Sequence, residues 1–293
     1  MRFFSPVFSR NPNFFRFFAL VSFFLLVRTG LLAEEPVCPM PGEWEFRPEF
    51  SDEFNGSDLD AGKWWDFNPT TFIGRQPGLF CRENVAVGEG CLKLTASRMP
   101  ESMETIENHT RGFHTFATSI VKSKKRLHYG YLEARCRAMN SGATSAFWLY
   151  DPLDADRKYV PGNWTEEIDV FEIFGKHPDP QIARTCYMTI HRQETPYVET
   201  IVRINLKSTG TKWVAPHDFV SDFHTFGLLW NENEMVWFVD GQERWRQPND
   251  FHRNPLHIMF DSEIMEKWNG LPDLADLPST FLVDYLRVWQ PKK

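Results

Sequence analysis

From Trp44 to its end, the chain consists of short runs rich in Val, Ile, Phe, Tyr, Trp and Thr, separated by Gly, Pro, Asn or Asp. Such runs predict β-strands, because β-branched and aromatic side chains pack well on a pleated sheet and the separating residues favour turns. The predicted strands are residues 79–87, 91–97, 116–122, 129–138, 144–150, 167–173, 184–191, 200–206, 223–230, 235–239, 242–246, 256–260 and 281–289. The one helical segment that we expect is a short one at residues 273–277.

Many strands without intervening helices predict an all-β fold of two antiparallel sheets. Each sheet has one apolar face, which it must bury against another sheet. The Asp240-Gly241 dipeptide between two such strands predicts a tight two-residue hairpin turn. After about Glu43 the sequence shows no repeat, linker or change in composition, so residues 34–293 are expected to form a single domain.

The first 33 residues read as an export signal. They contain four arginines, no acid, and an apolar run at residues 17–27 that precedes Leu31-Leu32-Ala33. As a helix this run covers only about 16 Å, against about 30 Å for a bilayer core, which disfavours the alternative of an uncleaved membrane anchor. We therefore expect cleavage after Ala33 and a secreted or periplasmic protein without a membrane anchor.

Charge and motifs exclude several classes of function. Without residues 1–33 the formal charge falls from −7 to −11, and no basic stripe is present, so a nucleic-acid partner is not expected. The sequence lacks the Gly-x-Ser-x-Gly, His-Glu-x-x-His and phosphate-loop motifs, so we expect no cofactor for catalysis. The five cysteines lack metal-ligand spacing and are expected to be mostly buried thiols in a monomeric protein.

The segment around Glu167, Asp169 and Glu172 contains the candidate catalytic acids. In a regular strand Glu167 and Asp169 share a face, whereas Glu172 would point to the opposite one. A β-bulge near Val170-Phe171 would return Glu172 to the acidic face. Two glutamates on that face could then approach to about 5–5.5 Å, the carboxyl separation of retaining glycosidases. The alternative is a solvent-facing strand that is acidic by chance, which the break in alternation disfavours.

With these acids in place, the chain resembles glycoside hydrolase family 16 in its Glu-x-Asp-x-x-Glu branch. Further matching segments are residues 50–56, 129–135, 146–149, 223–227, 237–241 and 283–289. The resemblance implies a β-jelly roll with an open cleft on its concave face. It also implies Glu167 as the nucleophile, Glu172 as the general acid/base and Asp169 as the helper between them.

Within the family, residues 72–80, the strand of His191, residues 260–263 and residues 268–272 resemble the agarase and porphyranase branch. This implies a red-algal galactan as the substrate and adds five candidate binding residues, which are Phe72, Arg75, His191, Glu263 and Trp268. The open alternatives are a β-1,3(1,4)-glucan or carrageenan substrate, transglycosylation, and a lectin-like sandwich that binds carbohydrate without turnover.

Two further expectations concern aromatic residues and calcium. Aromatic residues make up 15% of the chain, and a pyranose ring stacks its apolar face on such side chains. Trp148 and Trp164, beside the acids in sequence, are therefore expected to be sugar platforms. The resemblance also implies a structural calcium bound by Asp284 and the backbone of Gly90.

Overall fold

The computed structural model describes residues 35–70, 72–150, 164–194 and 204–292, with only the backbone for residues 164, 194 and 204–206. The strands are β1 Trp44–Phe46, β2 Trp64–Trp65, β3 Gly78–Phe80, β4 Val85–Gly88, β5 Cys91–Arg98, β6 Phe116–Leu127, β7 Gly130–Arg137, β8 Thr144–Tyr150, β9 Trp164–Phe174, β10 Thr185–Glu194, β11 Ile204–Val214, β12 His224–Trp230, β13 Glu234–Val239, β14 Gln242–Pro248, β15 Leu256–Ser262 and β16 Ser279–Pro291. Two one-turn helices are α1 Ile106–Thr110 and α2 Glu266–Asn269.

The strands form two layers. The first sheet has the order β14-β13-β12-β7-β16-β5, and the second has the order β11-β10-β9-β8-β15-β6. The two sheets are joined where β5 pairs with β6. Among the described residues every strand pair is antiparallel except β3 with β6. The prediction of an all-β antiparallel sandwich is thus confirmed, and from Pro36 onward the chain clusters into one compact unit.

Aromatic side chains fill the space between the sheets. Phe171 of β9 lies 4.1 Å from Phe226 of β12 between ring centroids, and 6.0 Å from Phe281 of β16. All three rings are buried. Most of the aromatic excess therefore belongs to the core, because a two-layer sandwich needs large side chains to fill its interior. All five cysteines are free thiols and four are buried, as predicted.

Several local predictions can be compared with the structure. The hairpin turn is confirmed, since Asp240 and Gly241 have φ values of 51° and 69° between β13 and β14. The predicted strand at 79–87 is divided into β3 and β4 by a 3₁₀ turn at Arg82–Asn84.

The expectation of a single helical segment is wrong. Residues 273–277 form only a 3₁₀ turn at Leu274–Asp276. Helix α1 begins where the Thr105 side chain accepts a hydrogen bond from the Asn108 amide, and a one-turn helix of this kind leaves too little periodicity to be predicted.

The predicted export signal lies outside the described residues. Within the described part of the chain, no helix combines the length and apolar character that crossing a membrane requires.

Candidate active site

A β-bulge in β9 brings three acids to one face of the second sheet. On β8, Phe147 pairs with Phe171 and the next residue, Trp148, pairs with Asp169, so Val170 is the inserted residue. The register with β10 shifts at the same place. Val170 and Phe171 are consecutive and both buried in the core. As predicted, Glu172 therefore returns to the side of Glu167 and Asp169, and we call this side the acidic face.

His191 lies beside the first two acids. It pairs with Glu167 across β9 and β10. Its Nε2 is 3.2 Å from Asp169 Oδ2 and 3.9 Å from Glu167 Oε1. Its Nδ1 is 2.6 Å from the Ser208 hydroxyl, which fixes the ring. The imidazole thus lies near both acids. Glu167 remains partly exposed, with 23% of the glutamate side chain accessible.

His252, which sequence reasoning missed, supports this strand pair from the core. It is 2% exposed, and its Nε2 lies 3.1 Å from the main-chain oxygens of both Glu167 and His191. Burial lowers the pKa of His252 to about 4, so the ring is neutral at physiological pH and its Nε2–H donates to the two carbonyls. No sequence pattern identifies His252 as part of the site, because its contacts join segments more than sixty residues apart.

A second pair of acids reaches the same face from β15 and the residue that follows it. Asp261 is 2% exposed and accepts a hydrogen bond at 3.1 Å from Nε1 of Trp148. Glu263 is 4% exposed and accepts one at 2.9 Å from Nε of Arg75. The Glu263 Oε1 atom is buried and has no hydrogen-bond partner among the described residues, so it can accept a ligand hydroxyl.

This concentration of carboxyl groups raises their pKa values. Burial raises the pKa of Asp169 to about 8, against the opposing effect of the Arg75 charge. Burial, followed by the charges of Asp169 and Glu167, holds the pKa of Glu172 well above its usual range. Burial also raises the pKa of Asp261 and of Glu263. The site therefore favours the protonated form of its carboxyl groups, as an acid catalyst requires.

The predicted aromatic residues have different environments. Trp148 is half-buried and lies opposite Asp169. Trp268 is 46% exposed and packs edge-on against Tyr187, which lies opposite Glu172. Phe72 contacts Phe80 edge-on, with 5.5 Å between ring centroids. The side chain of Trp164 lies outside what the structure describes.

Trp65 is an aromatic residue of this face that the sequence did not identify. Cross-strand pairs connect it to Lys122, then to Met259, then to Trp148. Residues directly opposite one another share a face of a sheet, so Trp65 is in one row with Trp148 and Asp169. Only the pairing of the two-residue strand β2 reveals this.

Among the residues that the structure describes, two groups of side chains carry metal-type donor atoms within 4.8 Å of one another. The first is Glu167, Asp169 and His191 of the site itself. The second is His217, His224 and Asp240, but its two imidazole rings are stacked in parallel planes at 4.3 Å, so their lone pairs do not converge on one point.

The residues predicted to bind calcium are paired differently. Asp284 Oδ2 is 2.7 Å from Nη1 of Arg135, whose guanidinium lies over the ring of Phe223. The carboxylate is therefore neutralised by a cation of the protein, and calcium would have to displace Arg135 from it. As placed, the Asp284 carboxylate does not fit a calcium ion, and the calcium site with Gly90 stays a prediction.

Known proteins are similar to this chain in sequence and fold. Residues 44–291 match the family described as Beta-porphyranase A-D, GH16 domain. The chain is 27% identical to beta-porphyranase B of Zobellia galactanivorans, with 92% of this chain and 96% of that protein covered. It is 25% identical to the kappa-carrageenase of Pseudoalteromonas carrageenovora, with 87% and 67% covered. Its fold is similar to a beta-porphyranase structure from Bacteroides plebeius, with a TM-score of 0.70, 24% identity, and 87% and 94% of the chains covered.

Proposed function

Because the chain belongs to glycoside hydrolase family 16, we propose that it is a secreted, retaining endo-hydrolase of a red-algal galactan of the agarose or porphyran type. The resemblance predicted from the motifs is confirmed, and the protein is a glycoside hydrolase of β-linked polysaccharides. We propose the identity of the substrate, the retention of anomeric configuration and the roles of the individual residues.

The observation that carries the proposal is the bulge at Val170. It puts the two glutamates on one face with a buried acid between them. A lectin-like sandwich would gain nothing from this arrangement, because crowding carboxyl groups opposes their ionisation. An enzyme gains a nucleophile and a proton donor on the same strand.

In the proposed mechanism, Glu167 attacks the anomeric carbon and forms the covalent glycosyl-enzyme. Glu172 protonates the departing glycosidic oxygen and afterwards removes a proton from the attacking water. The raised pKa of Glu172 supports the first of these roles, because the group must be protonated before the bond breaks. His191 and Asp169 orient the Glu167 carboxylate through the contacts given above.

Substrate binding is assigned to residues around these acids. Trp148 and Trp268 offer rings on the two sides of Glu172, on which sugar faces can stack. Arg75, with 51% of its side chain exposed, and the buried Glu263 offer charged hydrogen-bonding groups. Their contact joins two segments of the agarase and porphyranase resemblance, which supports a galactan over a glucan.

A reducing-end assay on porphyran, agarose, kappa-carrageenan and a β-1,3-1,4-glucan tests the proposal. We expect new reducing ends and a rapid fall in viscosity with porphyran or agarose, and none with the Glu167→Gln variant. Turnover of carrageenan alone would favour the activity of the kappa-carrageenase relative. Turnover of glucan alone would remove the galactan assignment.

Export and oligomeric state are proposed from the sequence. Residues 1–33 would direct export and be removed after Ala33, and the mature protein would act as a monomer. Mass spectrometry of the secreted protein and light scattering test these two points. An N-terminus that retains the 17–27 apolar run, or a dimer mass, would contradict them.

A further inference from the structure

Asp261 occupies a particular position relative to the acid/base candidate. Ala146 lies opposite Glu172 on one side and opposite Asp261 on the other, so the three residues form one cross-strand row. The alanine side chain is a single methyl group and places no polar atom between the two acids. Asp261 is nevertheless not a surface residue, since it is only 2% exposed.

The charges around Asp261 are unbalanced. The charged groups that act on it are Glu263, just past the end of its strand, Glu172 on β9, and Arg75. Arg75 is in an ion pair with Glu263. Lys122 of β6 lies opposite Met259, two residues from Asp261, with its Nζ 6.0 Å from the Trp65 ring. No ion pair to Asp261 is found among the described residues.

One guanidinium cannot neutralise the three neighbouring carboxylates of Asp261, Glu263 and Glu172. A buried carboxyl group without a paired cation lowers its free energy by keeping its proton, because desolvation penalises only the charged form. Glu263 is in the ion pair with Arg75, so it is the acid of this group that ionises most readily. Asp261 has a neutral partner, the Trp148 indole, whose N–H can also donate to the carbonyl oxygen of an un-ionised acid. This bond is stronger to a carboxylate, but it is a single contact that opposes burial and the charges of Glu263 and Glu172.

We propose that Asp261 is a positioning residue that keeps its proton at neutral pH and holds the Trp148 indole in place on the acidic face. In this state it fixes the platform without adding a negative charge beside Glu172. The effect on turnover rests on the proposed function, whereas the proton and the indole contact do not.

Infrared difference spectroscopy near pH 7.5 tests the proton directly. The spectrum of the wild type minus that of Asp261→Asn should contain the carbonyl band of a neutral carboxylic acid. The exposed Asp222 provides the matched control, and Asp222→Asn should remove a carboxylate band instead. Loss of a carboxylate band in Asp261→Asn would overturn the proposal.

The pH profile provides a second readout. If Asp261 is neutral, Asp261→Asn should leave the alkaline limb of kcat/KM within about 0.3 pH unit of the wild type. If Asp261 is charged, removing that charge should move the limb to lower pH by about one unit, since a nearby carboxylate raises the pKa of Glu172.

A double-mutant cycle tests whether Asp261 acts through Trp148. Asp261→Ala should raise KM about five- to twentyfold, the loss expected for an orphaned hydrogen-bond donor, with a smaller change in kcat. In a Trp148→Phe background the same change should add less than about twofold. Additive effects would overturn the positioning role. Should Asp261→Ala fail to fold, the asparagine variant still decides the question.

Failure of this inference is distinguishable from failure of the proposed function. The infrared band assigned with Asp261→Asn requires no substrate. A neutral-acid band in a protein that cleaves no galactan would remove the proposed function alone. A carboxylate band in an active galactanase would remove the Asp261 assignment alone.

Discussion

Trp237 of the first sheet donates its indole N–H to the main-chain oxygen of Asp169 in the second sheet, at 2.9 Å across the core. Trp237 is fully buried. In a regular strand a carbonyl points to a neighbouring strand, so a bond from the facing sheet marks backbone that the bulge has turned. The bulge that aligns the acids therefore depends on the packed sandwich as well as on β9.

Replacing Trp237 with Phe should damage stability and catalysis together. The buried Asp169 carbonyl would lose its partner, which costs about 1–3 kcal/mol before any cavity is counted. Urea unfolding and kcat measured on the same variant check this. Trp245 packs on Trp237 with 4.2 Å between ring centroids and is partly exposed, so Trp245→Phe is the control and should lose less of both. Equal losses in both variants would mean that packing alone matters.

The acid triplet could be predicted because it lies in one continuous segment. Glu172 breaks the alternation of β9, and a single inserted residue is the smallest change that restores it. The hairpin at Asp240-Gly241 was predictable for the same reason, since its two residues suit the positive φ values that the turn requires.

Partners from distant segments could not be predicted in this way. Trp237 and His252 read as ordinary core residues, and only the packing of one sheet on the other brings them to the backbone of β9. Glu263 entered through resemblance and Asp261 was not identified as a site residue, whereas the crowding of both with Glu172 depends on the strand order β9-β8-β15. Register between strands is a tertiary property that local alternation does not specify.

His252 should make the protein less stable in mild acid. Its pKa is lowered from 6.5 to about 4 by burial, so between these values the unfolded chain binds a proton that the folded protein refuses. Lowering the pH through this window favours unfolding, by up to about 3 kcal/mol. His252→Gln lacks this titration, and its free energy of unfolding should fall less between pH 6.5 and pH 4.

Urea unfolding at several pH values measures this difference. The exposed His128 provides the control, and His128→Gln should follow the wild-type pH dependence. Parallel curves for the wild type and His252→Gln would show that the acid sensitivity arises elsewhere.

Calcium and Arg135 should compete for Asp284. While Arg135 holds the carboxylate, added calcium has to displace a paired guanidinium. Arg135→Gln frees the carboxylate, and we expect millimolar calcium to raise the Tm of this variant more than that of the wild type. Thermal unfolding with and without calcium measures this rise in Tm. The control is the double variant Arg135→Gln with Asp284→Asn, in which calcium should have no such effect. A calcium effect that survives loss of Asp284 would place the ion elsewhere.

Glu167→Gln should abolish hydrolysis and preserve the fold and the binding of oligosaccharides. The amide keeps the size of the side chain but cannot attack the anomeric carbon. Turnover, thermal unfolding and oligosaccharide titration on the same preparation separate these effects. More than about a tenth of normal turnover would refute the nucleophile assignment, since loss of a covalent nucleophile costs orders of magnitude.

Early-time NMR of the wild-type product should show the anomeric configuration of the substrate.

The two duties of Glu172 can be separated with an activated substrate. Burial and the neighbouring acids hold its pKa well above the usual range, so the acid form persists to higher pH than in an exposed glutamate and is lost on the alkaline limb of the pH–rate profile. In Glu172→Ala that limb should flatten for an activated aryl glycoside, whose leaving group needs no proton. Activity on the polysaccharide should nearly vanish, because its leaving group does need one.

Azide then tests the second duty. The glycosyl-enzyme formed in Glu172→Ala lacks a base to activate water, so it should accumulate with the aryl glycoside. Azide attacks without base assistance and should restore turnover, giving a glycosyl azide of retained configuration. Circular dichroism of Glu172→Ala must first match the wild type. If the folded variant shows no azide rescue, the acid/base role passes to Glu263, whose buried Oε1 has no hydrogen-bond partner among the described residues.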